Sequence, residues 1–162
     1  MKKRLYILCG WFFVFGFLFQ NLNAQRITVN GNWVLDLRNE ITEAGSDYLG
    51  TYSSLVDQTK IRLRNVGGSS WSVSVRYAPN NDWDNSLILR AQRTGPGTGT
   101  GIISGGTAFQ TLTLIDAVFF TGTNNRQTIP IQYQLSGVSV TIPVITSNPQ
   151  HRVRVFYTLT AP

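Results

Sequence analysis

Asp82-Trp83-Asp84, flanked by Asn80, Asn81 and Asn85, is the stretch of this chain best suited to chemistry. Carboxylates and amides at that density are the hard oxygen donors calcium prefers. A calcium loop also needs a spaced acidic series closed by a distal glutamate, and that series is missing. An indole in a polar loop suggests something else. Trp83 would stack on a sugar ring while Asp82, Asp84 and Asn81 bond its hydroxyls. The competing reading is structural: an Asx-rich turn needs no ligand, with Trp83 folded back over the end of the domain.

Other chemical signatures fail on context. Gly95-Pro96-Gly97-Thr98-Gly99-Thr100-Gly101 has the glycine density of a phosphate loop. Such a loop is closed by a lysine and opens a helix, and neither follows here. His151 is the single histidine, so no second imidazole can join it on a metal. No Gly-x-Ser-x-Gly elbow marks a serine nucleophile. The acids a two-carboxylate glycosidase would need fall mostly between apolar segments. The residues predict no enzyme, no cofactor and no metal site.

The leader decides the compartment. Lys2, Lys3 and Arg4 precede an unbroken apolar run, Leu5–Phe19, and a small residue, Ala24, follows. That is the layout of a secretory signal peptide, residues 1–24, with cleavage expected after Ala24; Leu22 is larger than the usual residue at its place. The run is shorter than the roughly 18 apolar residues of a spanning helix, so no stable membrane span is expected after cleavage. Cys9, the single cysteine, leaves with the leader, and thiol catalysis and thiolate metal sites leave with it. An exported chain without disulfides fits a bacterial periplasm, outer surface or extracellular space.

Removing 24 of the 162 residues leaves 138, one domain spanning 25–162. That length buries about two thirds of its unfolded surface. The leader holds three of the 14 basic residues and none of the eight acidic ones, so net charge falls from +6 to +3. The remaining cations form no run, and no nucleic-acid partner is expected.

The elements that must carry these residues are strands. In Ser70–Tyr77, Trp71, Val73, Val75 and Tyr77 alternate with Ser70, Ser72, Ser74 and Arg76. A period of two cannot lie on one face of a helix, and one polar face implies an antiparallel sheet packed on its other side. The pattern returns at Lys60–Val66, Leu87–Ala91, Phe109–Ile115, Thr128–Leu135, Val138–Ile142 and Arg152–Leu159. Arg26–Leu37 reads as one long strand or two kinked at Gly31. Gly67-Gly68 reads as a hairpin turn joining Lys60–Val66 to Ser70–Tyr77. On that pairing Arg62, Arg64 and Arg76 share an outer face as a positive stripe. Thr94–Gly106 must be a loop, and Ala117–Phe120 an apolar patch that extends a strand or turns a corner. About eight short strands and no helical period predict an all-β antiparallel sandwich, immunoglobulin-like or jelly-roll, with a closed barrel as the alternative.

Ile129-Pro130-Ile131-Gln132-Tyr133, the Ser136-Gly137 turn and the final Val153-Arg154-Val155-Phe156-Tyr157-Thr158-Leu159 resemble secreted pilin-type and spore-coat-U-type sandwich subunits of chaperone–usher systems. The resemblance covers roughly residues 109–160. It implies assembly by donated strands, with Ile27, Val29, Trp33 and Leu35 of the first segment completing a neighbour's sheet, and an assembly chaperone among the partners. The plain alternative is that Arg26–Leu37 is the first strand of its own domain. The expected function is an exported structural or adhesive surface subunit whose partners are other subunits or surface glycans. A surface carbohydrate- or ligand-binding module is the second reading.

Overall fold

The computed structural model describes residues 24–37, 40, 43, 45–68, 70–140 and 151–161. The expected leader up to residue 23 and the end of the strand expected at Val138–Ile142 lie outside these. Eleven strands follow in chain order. They begin with β1 (Arg26–Asn30), β2 (Thr51–Ser53), β3 (Thr59–Arg64) and β4 (Ser70–Pro79). Next come β5 (Ile88–Arg93), β6 (Thr98–Gly99), β7 (Ile103–Ser104) and β8 (Gln110–Thr111). The last are β9 (Ala117–Thr123), β10 (Arg126–Ser136) and β11 (Val153–Thr160). Among the described residues there is no helix, and so none long and apolar enough to cross a membrane.

The strands form two antiparallel sheets packed face to face as a β-sandwich. One has the order β1-β3-β10-β5-β8, with β2 and β6 also paired on β10; the other runs β11-β4-β9-β7. Alternation decides which side chains meet between them. Ile61, Leu63, Ile129 and Ile131 from the first sheet are wholly buried, and they face Trp71, Val73, Val75 and Phe120 from the second.

The sheets are also tied by a polar contact. The Tyr133 and Tyr157 hydroxyls lie 2.9 Å apart across the core. Burial pushes both phenols above their ordinary range, Tyr157 furthest. Unfolded tyrosines lose their protons near pH 10 while these keep theirs, so the unfolded state then binds fewer protons and stability falls as pH rises. Each phenol adds up to about 1.4 kcal/mol per pH unit to that slope. The Tyr133→Phe/Tyr157→Phe pair should flatten the loss of stability above pH 10, followed by urea midpoint.

Several expected elements take a different form. Gly67-Gly68 does not close a hairpin, because β3 and β4 belong to different sheets. Val66 drops into the core, only 2% exposed, and its N–H donates to the Asn125 side chain at 3.2 Å. Buried Val66 makes this segment an arch between layers. The strand expected over Arg26–Leu37 stops at Asn30. Gly31, at φ +126°, presses against the Gln58 carbonyl where a Cβ would collide. Trp33 and Leu37 still face inward: Trp33 stacks on Tyr133 at 6.5 Å and 8°, and Leu37 is buried beside Leu87.

Phe109–Ile115 shrinks to β8, with Leu114 and Ile115 exposed. Residues 138–140 form no strand, although Val138 is buried. The Ala117–Phe120 patch is instead the start of β9, a central strand. Val73 pairs with Phe120 and Ser74 with Val118, which leaves Phe119 as the extra residue of a bulge. A bulge turns two successive side chains to one face, and both phenylalanines are buried.

Candidate functional site

The Asx-rich loop between β4 and β5 spends its polar atoms on itself. Asn80 bridges to Asp82 through its amide (2.8 Å), and its side-chain oxygen accepts the Arg152 N–H at 3.0 Å. Asp84 accepts both the hydroxyl (2.6 Å) and the N–H (2.8 Å) of Ser86. Those bonds hold its carboxyl below the usual carboxylate range, the hydroxyl bond contributing most. Trp83 is half-buried and packs between the two apolar clusters. Its ring lies 6.1 Å from Tyr77 and meets His151 edge-on at 6.5 Å. The indole therefore turns toward the end of the sandwich, while Asn81 and Asp82 stay exposed. Among the described residues no three His, Cys, Asp or Glu side chains gather as they would around a metal ion.

The glycine run is fixed by its neighbours. Gly97, Gly99 and Gly101 lie against the carbonyls of Gln127, Asn125 and Thr123, so close that a Cβ on any of them would collide. Their spacing of two matches the spacing of those carbonyls on the β9–β10 turn. Two buried arginines complete the attachment. Arg93 donates from Nε and Nη2 to the Gly105 carbonyl (3.0 and 2.8 Å) and from Nη1 to that of Gly95 (2.9 Å). Arg126 donates to the Gly101 carbonyl. Burial, and then the charge of Arg126, pull the Arg93 guanidinium below its ordinary value. Arg126 reaches the interior because the register of β10 on β3 slips between Arg126 and Ile129. Arg93 falls in phase with inward-facing Leu89 and Ala91, whereas the burial of Arg126 is not written in local alternation.

The positive stripe is rearranged. Arg76 stands on the second sheet, 3.8 Å from Asp116 and 4.3 Å over the Phe156 ring. Arg62 and Arg64 remain together on β3, and Arg26 joins them from β1, directly opposite Arg64.

The feature with the clearest capacity to engage another chain is β11. It spans eight residues, pairs only with β4 among the described residues, lies at the rim of its sheet, and runs close to β1, the rim of the other sheet. The Asn80 N–H donates to the Arg152 carbonyl at 2.8 Å, which sets the phase of the β11–β4 ladder. Arg154, Phe156, Thr158 and Thr160 turn their backbone groups to β4. Those of Val153, Val155, Tyr157 and Leu159 face outward, with no partner strand among the described residues. The Tyr77 N–H confirms the phase by pointing the other way, to the Thr113 carbonyl at 3.0 Å. Natural edges are blunted by brevity, proline, bulges or inward charge. The rims at β7 and β8 are two residues long and that at β1 five, whereas the eight-residue β11 carries no proline, bulge or inward charge.

Of the residues read as exchange positions, Ile27 and Val29 pair within the chain's own sheet, on Leu63 and Ile61. Trp33 and Leu35 pack on its own clusters. Comparison with known proteins yields no match to a family model, a curated protein or a solved structure.

Proposed function

We propose that this chain is an exported structural or adhesive surface subunit that assembles by β-strand pairing, with β11 as the acceptor edge. The observation that carries the reading is the row of four outward N–H and C=O pairs on an unguarded strand. Strand addition takes its affinity from such main-chain bonds and its specificity from alternating side chains. Here Val153, Val155 and Leu159 are half-buried along the same rim, so an incoming strand would also cover apolar surface. The resemblance of the C-terminal segment to strand-exchanging subunits supports the same conclusion. A chaperone that caps the edge before assembly is the partner such a subunit needs.

In this reading Ile27, Val29, Trp33 and Leu35 need not leave their own domain, since the β11 edge accepts a strand without rearrangement. The carbohydrate-module reading centred on Trp83 has less support, because the indole is half-buried and packs on the domain's own clusters beside Tyr77 and His151. Sedimentation of residues 25–162 over a range of concentrations is the test. Concentration-dependent association is expected, and a monomer at the highest soluble concentration would overturn the proposal.

A further inference from the structure

Charge is sorted by secondary structure in this chain. Nine of the ten basic residues among the described residues lie in strands, and all eight acidic residues lie outside them. The sorting is sharpest on the outer face of the larger sheet. Arg26 of β1 and Arg64 of β3 occupy paired positions, and Arg62 sits one step along, opposite Thr28. Paired residues have Cβ atoms about 5 Å apart, and like charges placed so repel. Among the described residues none of the three has a carboxylate partner, whereas the neighbouring Lys60 is matched to Asp57 at 3.1 Å.

Beside the arginines the same face is tiled with amides. Gln92 donates to Gln132 at 2.8 Å, and Arg90 to Gln134 at 3.3 Å. No aromatic side chain stands on this face of β1, β3, β5 or β10. Single-stranded nucleic acid is held by stacking on aromatics, and membrane surfaces by apolar side chains set among cations. No aromatic is provided here, and Ile88, at the end of β5, is the one large aliphatic side chain on this face of the four strands. Guanidiniums for carboxylate, sulfate or phosphate, next to amides that pair with hydroxyls, fit a polyanionic sugar chain.

We infer that the Arg26–Arg62–Arg64 face of the larger sheet binds an anionic polysaccharide. This surface is the outer face of the other sheet, distinct from the β11 edge although β1 runs close to it, and the binding does not rest on the strand-pairing proposal. It places a glycan partner on a flat sheet face and not on the Trp83 loop.

The test is retention of residues 25–162 in affinity electrophoresis through polygalacturonate, dextran sulfate and neutral dextran. Single-stranded DNA and phosphatidylglycerol vesicles are measured alongside. Binding to the two charged polymers should weaken as salt rises, and neutral dextran should give none. The Arg26→Gln/Arg62→Gln/Arg64→Gln variant should lose at least tenfold in affinity while melting no lower than the parent. Arg76→Gln/Arg154→Gln, on the other sheet, should stay within twofold. Arg64→Glu supplies a second arm, since it restores an opposite-charge pair with Arg26 and should bind at least threefold more weakly with the fold intact. Comparing the two charged polymers separates carboxylate from sulfate preference. Undiminished binding by the triple variant or by Arg64→Glu would overturn the inference. So would equal binding to neutral dextran, or tighter binding to DNA or vesicles than to either charged polymer.

Discussion

A proline in place of Val155 is expected to leave the domain folded and abolish its association, while a proline at the adjacent Phe156 unfolds it. The difference follows from ladder phase alone. The Val155 N–H points to the open rim and has no partner strand to lose among the described residues, which is where an edge strand tolerates proline. The Val155 side chain is half-buried, so exchanging it for a pyrrolidine ring costs about 1 kcal/mol. The Phe156 N–H belongs to the bonded pair with Arg76. Removing it and placing a ring against β4 costs about 3 kcal/mol or more, a large share of the stability of an ordinary domain. Urea midpoints and sedimentation of the two variants read both effects. Association of Val155→Pro at the parental level would contradict β11 as the acceptor.

Arg93→Leu should cost about 1–3 kcal/mol, because it strips three donors from the carbonyls of Gly95 and Gly105. An acceptor left unpaired in the interior costs about 1–3 kcal/mol, but Gly95 is half-buried and Gly105 exposed, so water replaces part of what is lost, and the leucine recovers a further part as apolar burial. Arg93→Lys should fall between parent and Leu, since one ammonium keeps the charge but cannot reproduce a planar fork spanning two carbonyls. The segment 94–106 should become the first site of proteolytic nicking in both variants. Chemical denaturation gives the energies; a loss below about 0.5 kcal/mol for Arg93→Leu would show that the glycine ladder holds the loop unaided.

The sandwich was legible because alternation is a strong signal wherever one face is dry. Ser70–Tyr77 and Arg152–Leu159 appear as β4 and β11 with nearly the expected bounds. Pairing was not legible. Gly67-Gly68 announces a reversal, but whether the chain returns beside β3 or crosses to the other sheet depends on the burial of Val66, a tertiary matter. Bulges hid two further features. Phe119 and Arg126 both depart from strict alternation, and each is buried where a register slips.

Residue type and the fold point to different places for similar reasons. Trp83 and its acids catch the eye by residue type, yet the fold uses Asp84 to cap a turn and Trp83 to close an end. The open rim is invisible to residue type, since an unpaired N–H carries no signature in its side chain. The meeting of Arg26 with Arg64 likewise exists only once β1 is laid on β3.

Amide hydrogen exchange along β11 tests the central claim most directly. In dilute protein the N–H groups of Val153, Val155, Tyr157 and Leu159 should exchange quickly, and those of Arg154, Phe156, Thr158 and Thr160 slowly. On association the first set should slow by more than tenfold while the second changes little. Protection of the first set in the monomer, or no change when the protein associates, would contradict an edge that waits for a strand.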